Sequence, residues 1–187
     1  MQVAKRDGEK EEFSVEKIHK VVEWATKGIN GVSFSDIEMN ANLSLYDGIS
    51  TTEIHHILIK SANDLISTSA PNYQYVAARL LNMQLRKQVW GCGDEATPFL
   101  LFIQRNVDNG IYDKELEEKW TEEEIDLLGK YINHSRDDFF TYAGLQQMID
   151  KYLVKNRSTG HIYETPQFAY MCIAMCLFDT VDEAKRA

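Results

Sequence analysis

The sequence predicts a mainly α-helical protein that opens with a β-hairpin and four helices and continues into a second helical region holding one short hairpin. Three observations carry that expectation. Apolar residues recur three and four apart through most of the chain, Gly and Asn-Gly pairs punctuate those runs, and strand-like segments flank a turn at only two places. With 187 residues, the chain is long enough for one domain with a real core or for two small ones. Its 44% apolar share excludes wholesale disorder.

Residues 2–6 and 10–14 read as two strands around Asp7-Gly8, a dipeptide that readily supplies the positive φ angles of a tight turn. Ser14 is placed to cap a helix over residues 15–29, whose inner face is Ile18, Val21, Val22 and Ala25; Gly28 and Asn30-Gly31 end it. A second, weaker helix is expected from Phe34 to Tyr46, closed by Asp47-Gly48. Ser50-Thr51-Thr52-Glu53 is a capping box, and Ile54, Leu58, Ile59, Ala62 and Ile66 follow it at helical spacing. The fourth helix runs from Tyr73 to Trp90, with Arg86 and Lys87 where cations suit the helix dipole. Residues 1–90 thus read as one domain and 91–187 as another, joined by a connector that carries two glycines and then Pro98.

The second region continues in helices: Phe99–Val107, Lys114–Trp120, a run through Leu128 and Tyr131 opened by a capping box at Thr121–Glu124, and Tyr142–Tyr152. Residues 152–154 and 161–163 read as a hairpin around 155–160. Thr165-Pro166 starts a last helix, Pro being favoured where no amide partner is lost, and residues 168–177 form the most apolar stretch. That stretch is too short to span a bilayer and reads as a core helix.

Charge narrows the function classes. The net charge of −9 argues against a general nucleic-acid binder. Its distribution is uneven: residues 1–90 hold ten Lys/Arg against eleven Asp/Glu, whereas residues 91–187 hold ten against eighteen. A small anion is better received by the first half. Without a membrane-length apolar run or a secretory leader, the chain reads as soluble and cytoplasmic, with Cys92, Cys172 and Cys176 as reduced thiols.

Catalytic motifs are hard to find. Cys172 and Cys176 share a helix face and read as buried structural thiols, and Cys92 reads as an inert thiol in the connector. Glu122–Glu124 read as a helix N-terminus, and His134, Arg136, Asp137 and Asp138 as a surface polar cluster in a helix connection. Neither Gly-x-x-x-x-Gly-Lys-Ser/Thr nor Gly-x-Gly-x-x-Gly occurs. Binding is more promising. Lys5 and Arg6 end the first strand, Lys17 sits in the first turn of the first helix, Thr51 and His55 begin the third and Lys87 ends the fourth. A hairpin folded over the bundle brings these groups towards a polyphosphate; the other reading leaves each as a solvated surface residue.

At this point a family resemblance enters. Lys5-Arg6-Asp7-Gly8, Phe13-Ser14 with Lys17-Ile18, Tyr46-Asp47-Gly48-Ile49 with Thr51–His55, Pro71-Asn72-Tyr73-Gln74-Tyr75-Val76-Ala77-Ala78-Arg79 and Leu85-Arg86-Lys87 resemble the ATP-cone of the large subunit of class Ia ribonucleotide reductase, of the T4-like phage or enterobacterial type. The likeness continues through His134-Ser135-Arg136-Asp137, Lys151–Val154 and Gly160–Phe168, and so covers essentially the whole chain.

The resemblance implies an allosteric switch in which ATP activates and dATP inhibits, bound with Mg2+. It implies that Lys5 and Arg6 meet phosphates, that Glu11, Glu12, Phe13, Ser14, Val15, Glu16 and Lys17 hold base and ribose with Phe13 as an apolar wall, and that Thr51, His55 and Lys87 complete the phosphate side. Met83 and Gln84 stand where the family has an aromatic and a histidine, which bears on affinity or on ATP versus dATP discrimination. The family's barrel, redox cysteines and radical-bearing cysteine have no counterpart here, so the chain is expected to be inactive alone. It is expected to act with a barrel-bearing chain and the radical-generating small subunit. The alternative expectation is a stand-alone nucleotide-sensing or interaction module with no enzyme activity.

Overall fold

The computed structural model describes residues 2–5, 8–42, 44–91 and 95–186. Arg6, Asp7 of the first turn, and Cys92 and Gly93 of the connector lie outside them. The chain forms two compact units, residues 1–84 with 138–146, and residues 85–137 with 147–187.

The first unit opens with β1 (Gln2–Ala4) and β2 (Lys10–Glu12), antiparallel in the register Gln2–Glu12, Val3–Glu11 and Ala4–Lys10. The loop is tightened where the Lys5 amide donates to the Glu9 carbonyl (2.7 Å) and the Gly8 amide to the Lys5 carbonyl (3.1 Å). Gly8 takes φ 87°, a region that favours glycine. Val3, buried, pins one face of the hairpin to the core.

Helix α1 (Val15–Thr26) buries Val22 and Ala25, with Ile18 and Val21 packed partly behind them as their spacing predicts. Ser14 departs from expectation. It takes the extended backbone of a cap residue, yet its hydroxyl makes no capping bond.

Helix α2 (Phe34–Asn42) is shorter than its expected run to Tyr46. The residues after it have another use: Asp47 Oδ1 accepts the Gln2 amide (2.7 Å), the Gly48 amide donates to the Gln2 carbonyl (2.9 Å), and the Ala4 amide donates to the Ile49 carbonyl (3.0 Å). Pairing with β1 satisfies backbone groups that a longer helix would otherwise have used.

Helix α3 (Thr51–Asp64) carries the expected capping box, the Glu53 amide donating to the Ser50 hydroxyl while the Glu53 carboxylate accepts the Ser50 amide. Such a cap contributes about 1 kcal/mol. Ile54, Leu58, Ile59 and Ala62 are buried, but Ile66 falls beyond the helix end and is exposed. Helix α4 runs from Tyr73 to Trp90 as expected. Its Val76, Ala77 and Leu80 close the core of the first unit with Ile37 and Ile49, and Tyr142 from residues 138–146 packs against that core.

In the second unit, α5 (Phe99–Asp108), α6 (Glu115–Lys119), α7 (Glu122–Gly129) and α9 (Pro166–Leu177) surround an aromatic core. The Phe168 ring lies 4.3 Å from Phe102, 5.3 Å from Phe99 and 4.8 Å from His134. Helices α5 and α7 approach so closely that a Cβ on Gly129 would sit 2.8 Å from Phe99 Cβ. The Thr121–Glu124 capping box forms, although α7 stops before Tyr131. Helix α8 (Tyr142–Gln147) passes into one turn of π-helix (Met148–Tyr152), where the Leu153 amide reaches back to the Met148 carbonyl and Lys155 Nζ donates to the Ile149 and Asp150 carbonyls. The expected second hairpin is reduced to a single antiparallel bridge, Lys155 to Ile162. Short α10 (Val181–Ala184) follows α9.

Two further expectations are corrected here. Residues 134–138 are a surface cluster only in part: they lie in a 3-10 turn (His134–Phe139) in which Arg136 is exposed, whereas Asp137 is fully buried and accepts from Gln167 Nε2 at 2.8 Å. Arg86 lies 3.9 Å from Asp137 and donates to the His134 carbonyl. Nor are both α9 thiols buried, since Cys172 is and Cys176 is exposed. Helix α9 is core on one side only; Tyr170, Ile173 and Leu177, at i, i+3 and i+7, face outward. Among the described residues, no helix is long and apolar enough to cross a membrane.

Candidate functional site

The hairpin alternates, and the alternation sorts its charges. Val3 and Glu11 are directly opposed, so they share the face turned to the core, and Lys5, two residues after Val3, continues that face. Lys10 and Glu12 point the other way and are exposed.

On the inner face Lys17 Nζ donates to both Glu11 oxygens, at 3.0 and 2.9 Å. Lys5 Nζ lies 3.9 Å from the same carboxylate and donates to Glu9 at 3.2 Å. Lys5 just after β1, Glu9 before β2, Glu11 in β2 and Lys17 in α1 thus form one charged group in the first unit.

That group sits beside a helix N-terminus. Ala4 and Ser50 form a parallel bridge, which puts the residues that follow them, Lys5 and Thr51, at the same end of the pairing. The α3 first turn is rigidly framed: Ser50 donors hold the Glu53 carboxylate below the usual range, and Tyr46 adds a bond at 3.1 Å. A helix N-terminus has the donors and the field to receive an anion, and Lys5 follows the bridged Ala4.

The other expected site residues are distributed as follows. Phe13 is half-buried and packs against the core, whereas Val15 and Glu16 are exposed on the outside of α1. His55 is buried, its Nε2 donating to the Leu80 carbonyl at 2.7 Å; a carbonyl can only accept, so that nitrogen carries the proton. Lys87 is half-buried in the part of α4 that belongs to the second unit. Arg6 lies outside the described residues.

Sequence reasoning missed two supporting features. Asp47, read only as a turn residue, anchors β1 through the Gln2 amide. His56, next to His55, meets Gln84 with its Nε2 3.0 Å from the amide nitrogen. The departure at Gln84 was visible; that it pairs with His56 required the packing of α3 on α4.

The second unit has its own buried polar group. Glu164 accepts from the Tyr112 hydroxyl and from the Val154 amide (2.7 Å), and burial raises its pKa. It lines a cavity of about 470 Å³ with Tyr112, Cys172 and Ile173; burial holds the Cys172 thiol in its protonated form. Among the described residues, no group of three His, Cys, Asp or Glu is placed to hold a metal.

The fold defines a mainly helical protein opened by a two-stranded hairpin, and comparisons with known proteins give its relatives. Residues 1–88 match the ATP cone domain, and residues 138–187 match the ribonucleotide reductase all-alpha domain. The chain is 45% identical over 186 residues to ribonucleoside-diphosphate reductase 1 subunit alpha of Escherichia coli, and 45% over 187 residues to ribonucleoside-diphosphate reductase subunit alpha of Enterobacteria phage T4. Each alignment covers 98% of this chain and 24% of the relative. The Helicobacter pylori subunit alpha is 34% identical over 184 residues, 98% of this chain and 23% of the relative. The chain belongs to the ribonucleotide reductase large-subunit family and corresponds to its N-terminal region, about a quarter of the relatives' length.

Proposed function

We propose that this chain is the nucleotide-sensing N-terminal part of a ribonucleoside-diphosphate reductase large subunit, taking ATP as activator and dATP as inhibitor in residues 1–90. The observation that supports this most is the ion-paired group of Lys5, Glu11 and Lys17, with Lys5 directly after the bridge that joins Ala4 to Ser50 ahead of α3. Lys5, Arg6 and Lys87 neutralise phosphates, the first-turn amides of α3 with Thr51 donate to them, and Phe13 offers the base an apolar wall. Glu11 has the acceptor oxygens that a ribose hydroxyl needs, and Glu12, Ser14, Val15 and Glu16 complete the stretch along the nucleoside. His55 acts from within, fixing α3 against α4. Magnesium enters bound to the triphosphate, which supplies its oxygen ligands.

Ribonucleotide reduction then belongs to a barrel-bearing polypeptide that works with this region and with the radical-generating small subunit. The outward stripe Tyr170, Ile173 and Leu177 of α9 is the surface offered to the barrel, since exposed apolar patches mark interaction sites.

Titration calorimetry tests the nucleotide site. Saturable heat is expected with both ATP and dATP, and Lys5→Ala combined with Lys87→Ala abolishes it while circular dichroism reports the same helical content. Heat from neither nucleotide with the unmodified chain, or unchanged affinity in the double variant, overturns the proposal.

A further inference from the structure

Lys5 and Lys17, the two cations of the hairpin group, are already engaged with carboxylates. Glu11 offers one oxygen to Lys17 at 3.0 Å and the other at 2.9 Å, and the second also lies 3.9 Å from Lys5. Its side chain is only 25% exposed, against 39% for Lys5 and 65% for Lys17, so the carboxylate lies on the inner side of the group with the cations around it. The register explains why: opposite Val3, Glu11 has to project towards the core side of the hairpin. A carboxylate between two ammonium groups occupies the position that a phosphate oxygen would seek.

We infer that Glu11 is a built-in competitor for the anion: a polyphosphate entering this site displaces the Glu11 carboxylate from Lys17 and Lys5. The inference rests on the nucleotide reading above and adds a determinant of its affinity. An ion exchange of this kind makes apparent affinity lower than the lysines alone would give, because each cation must be released before it is used. It also ties occupancy to the hairpin, since Glu11 is the link between β2 and the first turn of α1. Glu9, 70% exposed, keeps more of its hydration and competes less.

The test is Glu11→Gln, which preserves shape and removes the charge, titrated with ATP and with inorganic tripolyphosphate. The variant is expected to bind tripolyphosphate about 3- to 10-fold tighter than the unmodified chain at low salt, the range expected from removing one or two partly exposed ion pairs. The gain shrinks towards none near 1 M salt, where screening reaches about 3 Å. In a Lys17→Gln background the gain from Glu11→Gln falls, because the main partner is gone. Tripolyphosphate carries no ribose, so it isolates competition from any contact between Glu11 and the sugar. Equal tripolyphosphate affinity in Glu11→Gln and the unmodified chain, with ATP still bound, overturns this inference and leaves the nucleotide reading standing. Binding of neither anion by either protein overturns both.

Discussion

The two units handle charge in opposite ways. In the first, Lys5, Glu11 and Lys17 pair at the surface, where each ion keeps part of its hydration and the pairing is weak enough to be exchanged. In the second, Asp137 is wholly buried between Gln167 and Arg86, and Glu164 sits under Tyr112 with both oxygens engaged. There, desolvation makes each partner indispensable. The exposed group suits a ligand that comes and goes, and the buried ones specify a packing arrangement.

The comparison is broken most directly at Asp137. Asp137→Ala removes the charge that faces Arg86 and the acceptor of Gln167 Nε2, and the expected cost is about 3–5 kcal/mol. Urea denaturation measures it. A cost below about 1 kcal/mol would place Asp137 with the exchangeable surface ions.

A pH series sharpens the same contrast. Burial, helped by the Arg86 charge, pushes His134 down to about 4 from an ordinary 6.5. The fold therefore favours the neutral ring. As pH falls from 6.5 towards 4 the unfolded chain takes up a proton that the folded chain refuses, so this residue's contribution to stability is lost through that window. About 2 kcal/mol is expected after allowing for partial solvent screening. His134→Phe keeps the ring contacts to Trp90 and Phe168 but removes the proton site. Its melting temperature should fall less steeply than that of the unmodified chain over this pH range. Parallel curves would remove His134 from the buried set.

The smallest effects lie within the first unit and separate its two caps. Ser50→Ala removes the bond to the Glu53 amide and is expected to cost about 1 kcal/mol. Ser14→Ala removes no capping bond and is expected to stay within about 0.5 kcal/mol. Thermal melts of the two variants side by side check the pair, and equal losses would mean that Ser14 forms its cap in solution.

Much of the molecule was legible because its signals are local. The Ser50 and Thr121 capping boxes, Pro166 at the first position of α9 and the full length of α4 follow from residues within a few positions of one another. The family, too, was readable from short segments such as Lys5–Gly8 and Leu85–Lys87 in their order and spacing. Within the candidate site, residue types were legible but their sides were less so. Glu11 and Glu12 are adjacent glutamates, and only the pairing of Glu11 with Val3 turns one inward and the other to solvent.

What the sequence determined by itself, then, is where helices begin, which faces are apolar, and which family the chain joins; these rest on backbone hydrogen bonding and periodicity over a turn or two. Tertiary structure decided the rest. It stopped α2 early by pairing residues 47–49 with β1, exposed Cys176 while burying Cys172, and buried Asp137 in a segment whose composition reads as surface. It also gathered Lys5 of the first turn, Glu11 of β2 and Lys17 of α1. The physical reason is common to all four: backbone pairing, burial and ion pairing depend on neighbours distant in sequence, which local propensity does not encode.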